Sequence, residues 1–264
     1  MNQVLFIPTY NESENISRLL DQIVALSMKN LKIVIVDDHS PDGTASIIKK
    51  YMENNSNIYL VERMGTRGRG TAGIVGYDFA LKLGADEIVE MDSDFSHPPS
   101  ELPKLFDGLS RADIVIASRL TDGAVDGRPT LRRVITKLAN IYVKFWLQSP
   151  RHKSRVIDWT TGYRAYRKTV FEKIPPATLN AKGPSIIQEV LYRALNLGFT
   201  VEEIPFHMID RVSGKSTFNR KVAIQSLMSI LEYRFFYHEE QNKIQFVPQA
   251  SIRSERKYYA LTGY

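Results

Sequence analysis

Glu87-Ile-Val-Glu-Met91, running directly into Asp92-Ser-Asp94 and then Phe95-Ser-His97, is the stretch whose reading decides the fold. A short apolar run that stops at a polar triplet predicts a buried strand ending at a site. Four more runs have the same character: Val4-Leu-Phe-Ile7, Lys32-Ile-Val-Ile-Val36, Ile58-Tyr-Leu-Val61 and Asp113-Ile-Val-Ile-Ala117. Near-continuous hydrophobicity over so few residues, rich in β-branched side chains, suits strands covered on both faces of a parallel sheet.

Helical spacing fills the gaps. Ile16, Leu19, Leu20, Ile23 and Val24 follow the polar cap candidates Asn11 and Ser13, and a second helix over 71–83 stops at Gly84. Strand–helix alternation of this kind predicts an α/β domain, an open and mostly parallel sheet with helices on both faces. Such sheets bind ligands outside the carboxyl ends of their strands. Three polar clusters fall at those ends: Pro8-Thr-Tyr-Asn-Glu12, Asp37-Asp-His-Ser40 and Asp92-Ser-Asp94.

Beyond residue 120 the pattern changes. Thr121 to Thr130 reads as a mobile loop, and Leu131 to Leu147 as an amphipathic helix with Leu131, Val134, Ile135, Leu138, Ile141, Tyr142 and Phe145 on one side. Asp158 to Arg167 is aromatic and polar. A helix over 186–197, a strand over 201–205 and a helix over 222–236 precede a basic, weakly ordered tail over 241–264.

The 264 residues, 43% hydrophobic, suffice for one sizeable core. The chain has no cysteine, so a metal must sit among oxygen or imidazole ligands. A strand beginning at Val4 leaves no room for a cleavable leader, and nowhere do about 18 apolar residues run uncharged. A soluble, intracellular protein is therefore the expectation. The net charge of +6 suits an anionic partner: a nucleotide sugar, a phospholipid surface or nucleic acid.

Each motif carries a functional and a plainer reading. Two carboxylates at i and i+2 meet at one cation only where the strand end is irregular, and Mg²⁺ or Mn²⁺ prefers carboxylate and phosphate oxygens. The plainer reading of Asp92 and Asp94 is a capped turn before Pro98-Pro99. Asp38 could accept from a base edge or ribose, while Ser40-Pro-Asp-Gly43 is good turn chemistry. Gly68-Arg-Gly70 before a helix suits either a phosphate cradle or a simple loop. Arg119, Arg132, Arg133, Arg211 and Lys215 are candidate phosphate cations, with Arg119 and Arg211 ranked first because both follow strands. His97 is a ligand or a structural ring. The 131–147 helix lies at a membrane surface or turns an ordinary apolar face to the core.

Taken in order, Ile7-Pro-Thr-Tyr-Asn-Glu12, Val36-Asp-Asp-His-Ser-Pro-Asp-Gly-Thr44, Gly68-Arg-Gly-Thr-Ala72, Met91-Asp-Ser-Asp-Phe-Ser-His-Pro98, Ala117-Ser-Arg119, Thr161-Gly-Tyr-Arg-Ala-Tyr-Arg-Lys168 and Asp210-Arg-Val-Ser-Gly-Lys-Ser216 resemble glycosyltransferase family 2. Within that family they are most similar to dolichol-phosphate mannose synthases and related polyprenyl-phosphate glycosyltransferases, over about residues 4 to 236. The resemblance implies a GT-A fold over residues 1–218, with 219–264 as a C-terminal helix and basic tail. It implies an inverting enzyme with a nucleoside-diphosphate sugar donor, GDP-mannose first, and Mg²⁺ or Mn²⁺ as cofactor. Pro8, Tyr10, Glu12, Val36 and Asp38 would meet base and ribose. Asp92, Ser93 and Asp94 would meet ribose, diphosphate and metal, the two aspartates being the metal ligands. Asp92, Asp94 and Arg119 would carry catalysis, Arg119 and Arg211 would touch the donor, and Arg132 and Thr136 the acceptor phosphate. The chain departs from the family where Thr217 replaces a common lysine, with Lys215 as its substitute, and where Ser96 replaces a glutamine ligand.

A lipid phosphate is already an anionic nucleophile, whereas a hydroxyl acceptor would need a base, for which Glu189 is the candidate. The partners expected are therefore the donor, a lipid-phosphate acceptor, and a membrane surface or anchoring subunit, with no nucleic acid. The expected location is the cytoplasm, peripheral on the cytoplasmic face of a membrane.

Overall fold

A computed structural model describes residues 1–65, 67–210, 220–240 and 258–261. Five parallel strands form where the apolar runs predict them: β1 (Gln3–Thr9), β2 (Leu31–Asp37), β3 (Ile58–Arg63), β4 (Glu87–Glu90) and β5 (Ile114–Ser118). The helices between them are α1 (Ile16–Ala25), α2 (Thr44–Asn54), α3 (Arg69–Lys82) and α4 (Leu102–Gly108). The second half adds β6 (Val125–Asp126), α5 (Thr130–Leu147), β7 (Arg164–Arg167), α6 (Lys168–Lys173), α7 (Ile186–Asn196), β8 (Val201–Pro205), β9 (His207–Met208), α8 (Arg220–Glu240) and β10 (Tyr258–Leu261).

Among the described residues the main sheet has the order β10-β3-β2-β1-β4-β7-β5-β8. Every pairing is parallel except those of β7, which runs antiparallel between β4 and β5. Along β1, Val4 and Phe6 face a core built with α3 and α7, while Leu5 and Ile7 face a second core built with α1, α2 and α4. Both faces are covered, and this is why the strands read as unbroken apolar runs.

Three expectations change. Arg164-Ala-Tyr-Arg167 is a central strand, although it shows no apolar run; the buried Arg164 guanidinium donates to the carbonyls of Trp159, Thr161 and Ile187, which satisfies its donors inside the core. The supposed mobile loop over 121–130 is pinned: β6 pairs with β9, and Arg128 grips Asp126 with two hydrogen bonds of 2.7 and 2.8 Å. The tail contributes a strand, β10, which pairs with β3 at the sheet edge.

Candidate active site

The carboxyl ends of β1, β2 and β4 each lead into a residue in the left-handed region: Asn11 after β1, His39 after β2 and Phe95 after β4. Such backbone is uncommon for non-glycine residues and clusters at functional edges. It turns the chain sharply, so that side chains alternating along a strand point into one space.

The β2 end is held by its own carboxylates. Asp37, fully buried, accepts from Thr9 Oγ1 at 3.0 Å, Ser40 N at 2.8 Å and Ser40 Oγ at 2.6 Å. Asp42 accepts from Ser13 N and from both Thr44 N and its hydroxyl, so Ser40-Pro-Asp-Gly43 is the tight turn its chemistry suggests. Asp38 pairs with the buried Arg63 and accepts from Gly68 N at 3.0 Å. It therefore ties β2 to the start of α3 as well as bordering the site. Val36 is fully buried within the core, so only its main chain can reach a ligand. Tyr10 stands at the rim beneath Arg67, whose guanidinium lies 4.4 Å from the ring centroid. Glu12 accepts from Asn15 Nδ2 at 2.7 Å, and its carbonyl accepts from Ile16 N at the start of α1 at 2.8 Å. Pro8 is partly buried beside Val36 in the β1–β2 register.

Gly68 and Gly70, at the start of α3, serve packing rather than a phosphate cradle. Gly68 N is used by Asp38, and Gly70 N donates to Lys182 O at 3.1 Å. A Cβ on Gly70 would stand 2.1 Å from Ala181 O and 2.7 Å from Lys182 C, against a backbone segment with no flexible end to move aside. Gly70→Ala is expected to cost about 1–3 kcal/mol, measured by urea unfolding; wild-type stability would remove this account of the glycine.

At the β4 end, Asp94 accepts from Ser96 N at 3.1 Å and Ser96 Oγ at 2.6 Å. Ser96 thus orients Asp94. Ser93 is buried between the two aspartates. Asp92 is the more exposed carboxylate and accepts from Arg69 Nη2 at 3.2 Å; the same guanidinium pairs with the buried Glu90. His97 is a structural ring: it stacks on Tyr163 at 4.8 Å, and its Nδ1 accepts from Asp92 N at 3.0 Å. Burial pushes its pKa down against the pull of Asp92 and Asp94, with Arg119 and Arg69 lowering it further. The Asp92 carboxylate, just beyond β4, lies 3.7 Å from the ring nitrogen.

Arg119 is buried and bidentate on Asp158, Nε to Oδ2 at 2.8 Å and Nη2 to Oδ1 at 2.6 Å, and Nη2 also donates to Thr160 Oγ1 at 2.6 Å. Burial alone would raise the Asp158 pKa, but Arg119 and the backbone N–H donors hold it well below the usual carboxylate range. Arg119 is therefore an anchored arginine, with Nη1 as the edge those bonds leave unused.

On α5, Thr136 Oγ1 accepts from Arg128 Nη2 at 3.1 Å, and Arg132 pairs with Asp210 at 2.7 Å. Asn140, one turn beyond Thr136, joins this helix to the arginine: its Nδ2 donates to Thr160 Oγ1 at 3.0 Å and its Oδ1 accepts from Trp159 N at 2.6 Å. Asn140→Ala strands the buried Trp159 N–H and is expected to cost about 1–3 kcal/mol, read as a lowered denaturant midpoint. An unchanged midpoint would mean that α5 is held by its apolar contacts alone.

Glu189 is not available as a base. Its carboxylate accepts from Asn180 N, Ala181 N and Arg193, and it is buried. Burial raises its pKa against those donors, but the carboxylate is spent on the loop that packs against Gly68 and Gly70. Arg211 and Lys215 lie outside the described residues. Arg63, Arg67, Arg69 and Asn140 escaped the sequence reading because each acts through a partner distant along the chain, and Arg128 because its local pairing with Asp126 carries no periodicity; only the arginine within Gly68-Arg-Gly70 stood in a recognised motif.

The family model "Glycosyl transferase family 2" matches residues 4–175. Polyprenol monophosphomannose synthase of Mycolicibacterium smegmatis is 35% identical over 233 residues, covering 87% of this chain and 86% of that protein. Undecaprenyl-phosphate mannosyltransferase of Micrococcus luteus is 30% identical over 234 residues, covering 88% and 94%. In three dimensions the chain is similar to glucosyl-3-phosphoglycerate synthase from Mycobacterium tuberculosis, solved with Mn²⁺, UDP and glucosyl-3-phosphoglycerate, at a TM-score of 0.64 and 17% identity, covering 88% of this chain and 79% of that one.

Proposed function

The chain belongs to glycosyltransferase family 2 and is a GT-A glycosyltransferase, and from that premise we propose that it transfers mannose from GDP-mannose to a polyprenyl phosphate with inversion. The observation that carries the acceptor reading is the commitment of Glu189. A hydroxyl nucleophile needs a positioned base, and the carboxylate suspected of that role is bound on several sides by backbone donors. A phosphate monoester, with a second pKa of about 6, arrives already anionic. The names of the similar proteins, polyprenol monophosphomannose synthase and undecaprenyl-phosphate mannosyltransferase, point the same way.

The donor set fits a hard cation. Among the described residues no three His, Cys, Asp or Glu side chains gather into one metal cluster. Asp92 and Asp94 would therefore share the ion with diphosphate oxygens and water, as Mg²⁺ and Mn²⁺ sites commonly do. When bound, the cation neutralises charge on the departing diphosphate. Ser96 keeps the Asp94 carboxylate turned to the site, and Arg69 holds Asp92. Asp38, Tyr10 and Glu12 border the base and ribose side. Arg119, fixed by Asp158, presents its remaining edge to the donor. Arg132 and Thr136 on α5 hold the acceptor phosphate in line behind the anomeric carbon, so positioning supplies the rate.

Among the described residues no helix is long and apolar enough to cross a membrane. A polyprenyl acceptor resides in a bilayer, so we place the enzyme peripherally, on the cytoplasmic face where soluble nucleotide sugars are supplied. The test is an assay of the full chain with radiolabelled GDP-mannose and a short-chain polyprenyl phosphate, with Mn²⁺ or with chelator. Label is expected in the lipid phosphate only when metal is present. Transfer to hydroxyl acceptors in preference to the phosphate would overturn the assignment.

A further inference from the structure

Glu90 ends β4 two residues before Asp92, and it is fully buried. In the sheet it lies between Phe6 of β1 and Arg164 of β7. Alternation along β4 puts it on the same face as Ile88, toward α3. Two residues of α3 meet its carboxylate there: the Tyr77 hydroxyl donates to Oε2, and the Arg69 guanidinium pairs with Oε1. Arg69 Nη2 also donates to Asp92 Oδ1 at 3.2 Å. One guanidinium nitrogen is thus divided between a carboxylate sealed in the core and one that is 37% exposed at the site. The main chain of Gly162 closes over the pair, since a Cβ there would stand 3.5 Å from Arg69 Nη2 and 3.9 Å from Asp92 Oδ2.

Stability is a weak reason for such a pair. Desolvating both charges offsets most of their attraction, and apolar side chains of similar volume often fill such a position as well. What the pair does set is the charge beside Asp92. With Glu90 ionised, two carboxylates and one guanidinium leave a single net negative charge, and the guanidinium is met from its buried side. With Glu90 neutral, Arg69 would face Asp92 alone. The group would then carry no net charge, and the guanidinium would compete with a metal ion for the same carboxylate.

We infer that Glu90 is a positioning residue for the metal ion: by holding the Arg69 charge from the buried side, it leaves Asp92 oriented by Arg69 yet negative enough to bind Mg²⁺ or Mn²⁺. Tyr77 fixes the other oxygen of Glu90, so the carboxylate does not turn away from Arg69. Glu90 and Tyr77 are both fully buried and act on the site through Arg69. The inference rests on the reading of Asp92 and Asp94 as metal ligands and names what tunes one of them.

The experiment titrates Mn²⁺ into the full chain with GDP or, in parallel, UDP present. Loss of the free-ion electron paramagnetic resonance signal is read against a protein-free nucleotide blank. Glu90→Gln, the same shape without the charge, is expected to weaken Mn²⁺ binding by about 10–100-fold. Arg69→Met/Glu90→Gln also removes the competing guanidinium and is expected to return the affinity to within a few-fold of wild type. Glu90→Asp keeps the charge and should do the same. A residue that only supported the fold would not have its loss repaired by deleting its partner. Glu90→Gln that binds Mn²⁺ like wild type, or a double variant as weak as the single one, would overturn the inference. Should Glu90→Gln fail to fold by far-ultraviolet circular dichroism, the double variant and Glu90→Asp carry the test, and a loss of about tenfold in either overturns it. Wild-type protein that takes up no Mn²⁺ with either nucleotide would instead remove the metal reading of Asp92 and Asp94, and this inference with it.

Discussion

Asp94→Asn is expected to lower sugar transfer by about 10²–10³-fold at saturating Mn²⁺ while leaving the unfolding midpoint unchanged. Asparagine keeps the side-chain length and the oxygen that accepts from Ser96 N and Ser96 Oγ, so the turn through Phe95, with its positive φ, has no reason to open. The loss is the negative charge, and with it one of the oxygens proposed to hold the cation. Asp92→Asn should separate from it. Asp92 already faces the Arg69 guanidinium, so neutralising it also leaves Arg69 with less countercharge beside Glu90. Turnover of Asp94→Asn within a few-fold of wild type would remove Asp94 from the metal site.

Asp158→Ala is expected to destabilise the chain by about 3–5 kcal/mol, the cost of leaving a buried charge without its partner. Asp158 is fully buried and accepts from Arg119 through the backbone N at 3.0 Å, Nε and Nη2, and from Thr160 N and Thr161 N at 3.1 Å each. Its removal strands Arg119 and frees the 158–161 turn on which Asn140 anchors α5. Equilibrium unfolding in urea measures the effect, and a loss under about 1 kcal/mol would show that Arg119 finds water or another carboxylate.

The same pair has a pH signature. Burial opposes the charged form of Asp158, but Arg119 and the backbone donors outweigh it and depress the folded pKa. A depressed carboxylate stabilises the fold above its unfolded pKa of about 4, and that stability drains away as pH falls below it. Wild-type stability should therefore fall through that range, and Asp158→Asn should flatten the slope.

The five parallel strands and the carboxylates at their ends were legible because the cause is local. A strand covered on both faces must be apolar at nearly every position, and a site at a strand end must break that run with polar residues. Val4 to Ile7, Lys32 to Val36 and Glu87 to Met91 each carry that signal without help from elsewhere in the chain. The ordered motifs from Ile7 to Lys168 likewise placed the chain in its family before any contact was known.

Tertiary structure alone decided the rest. Arg164 sits in a central strand because carbonyls of Trp159, Thr161 and Ile187 surround it, and no periodicity encodes that. Glu189 looked like a base until the 180–181 backbone closed on its carboxylate, and Gly68-Arg-Gly70 suited a phosphate cradle or a simple loop until Asp38 took the Gly68 N–H and Lys182 O the Gly70 N–H. The stripe from Leu131 to Phe145 defines one apolar side of α5 equally well whether it points inward or outward. Thr136 and Asn140 settled the direction: their hydrogen bonds to Arg128 and to the 159–160 turn hold the face they share with Val143 and Leu147 inward and leave the apolar stripe facing out.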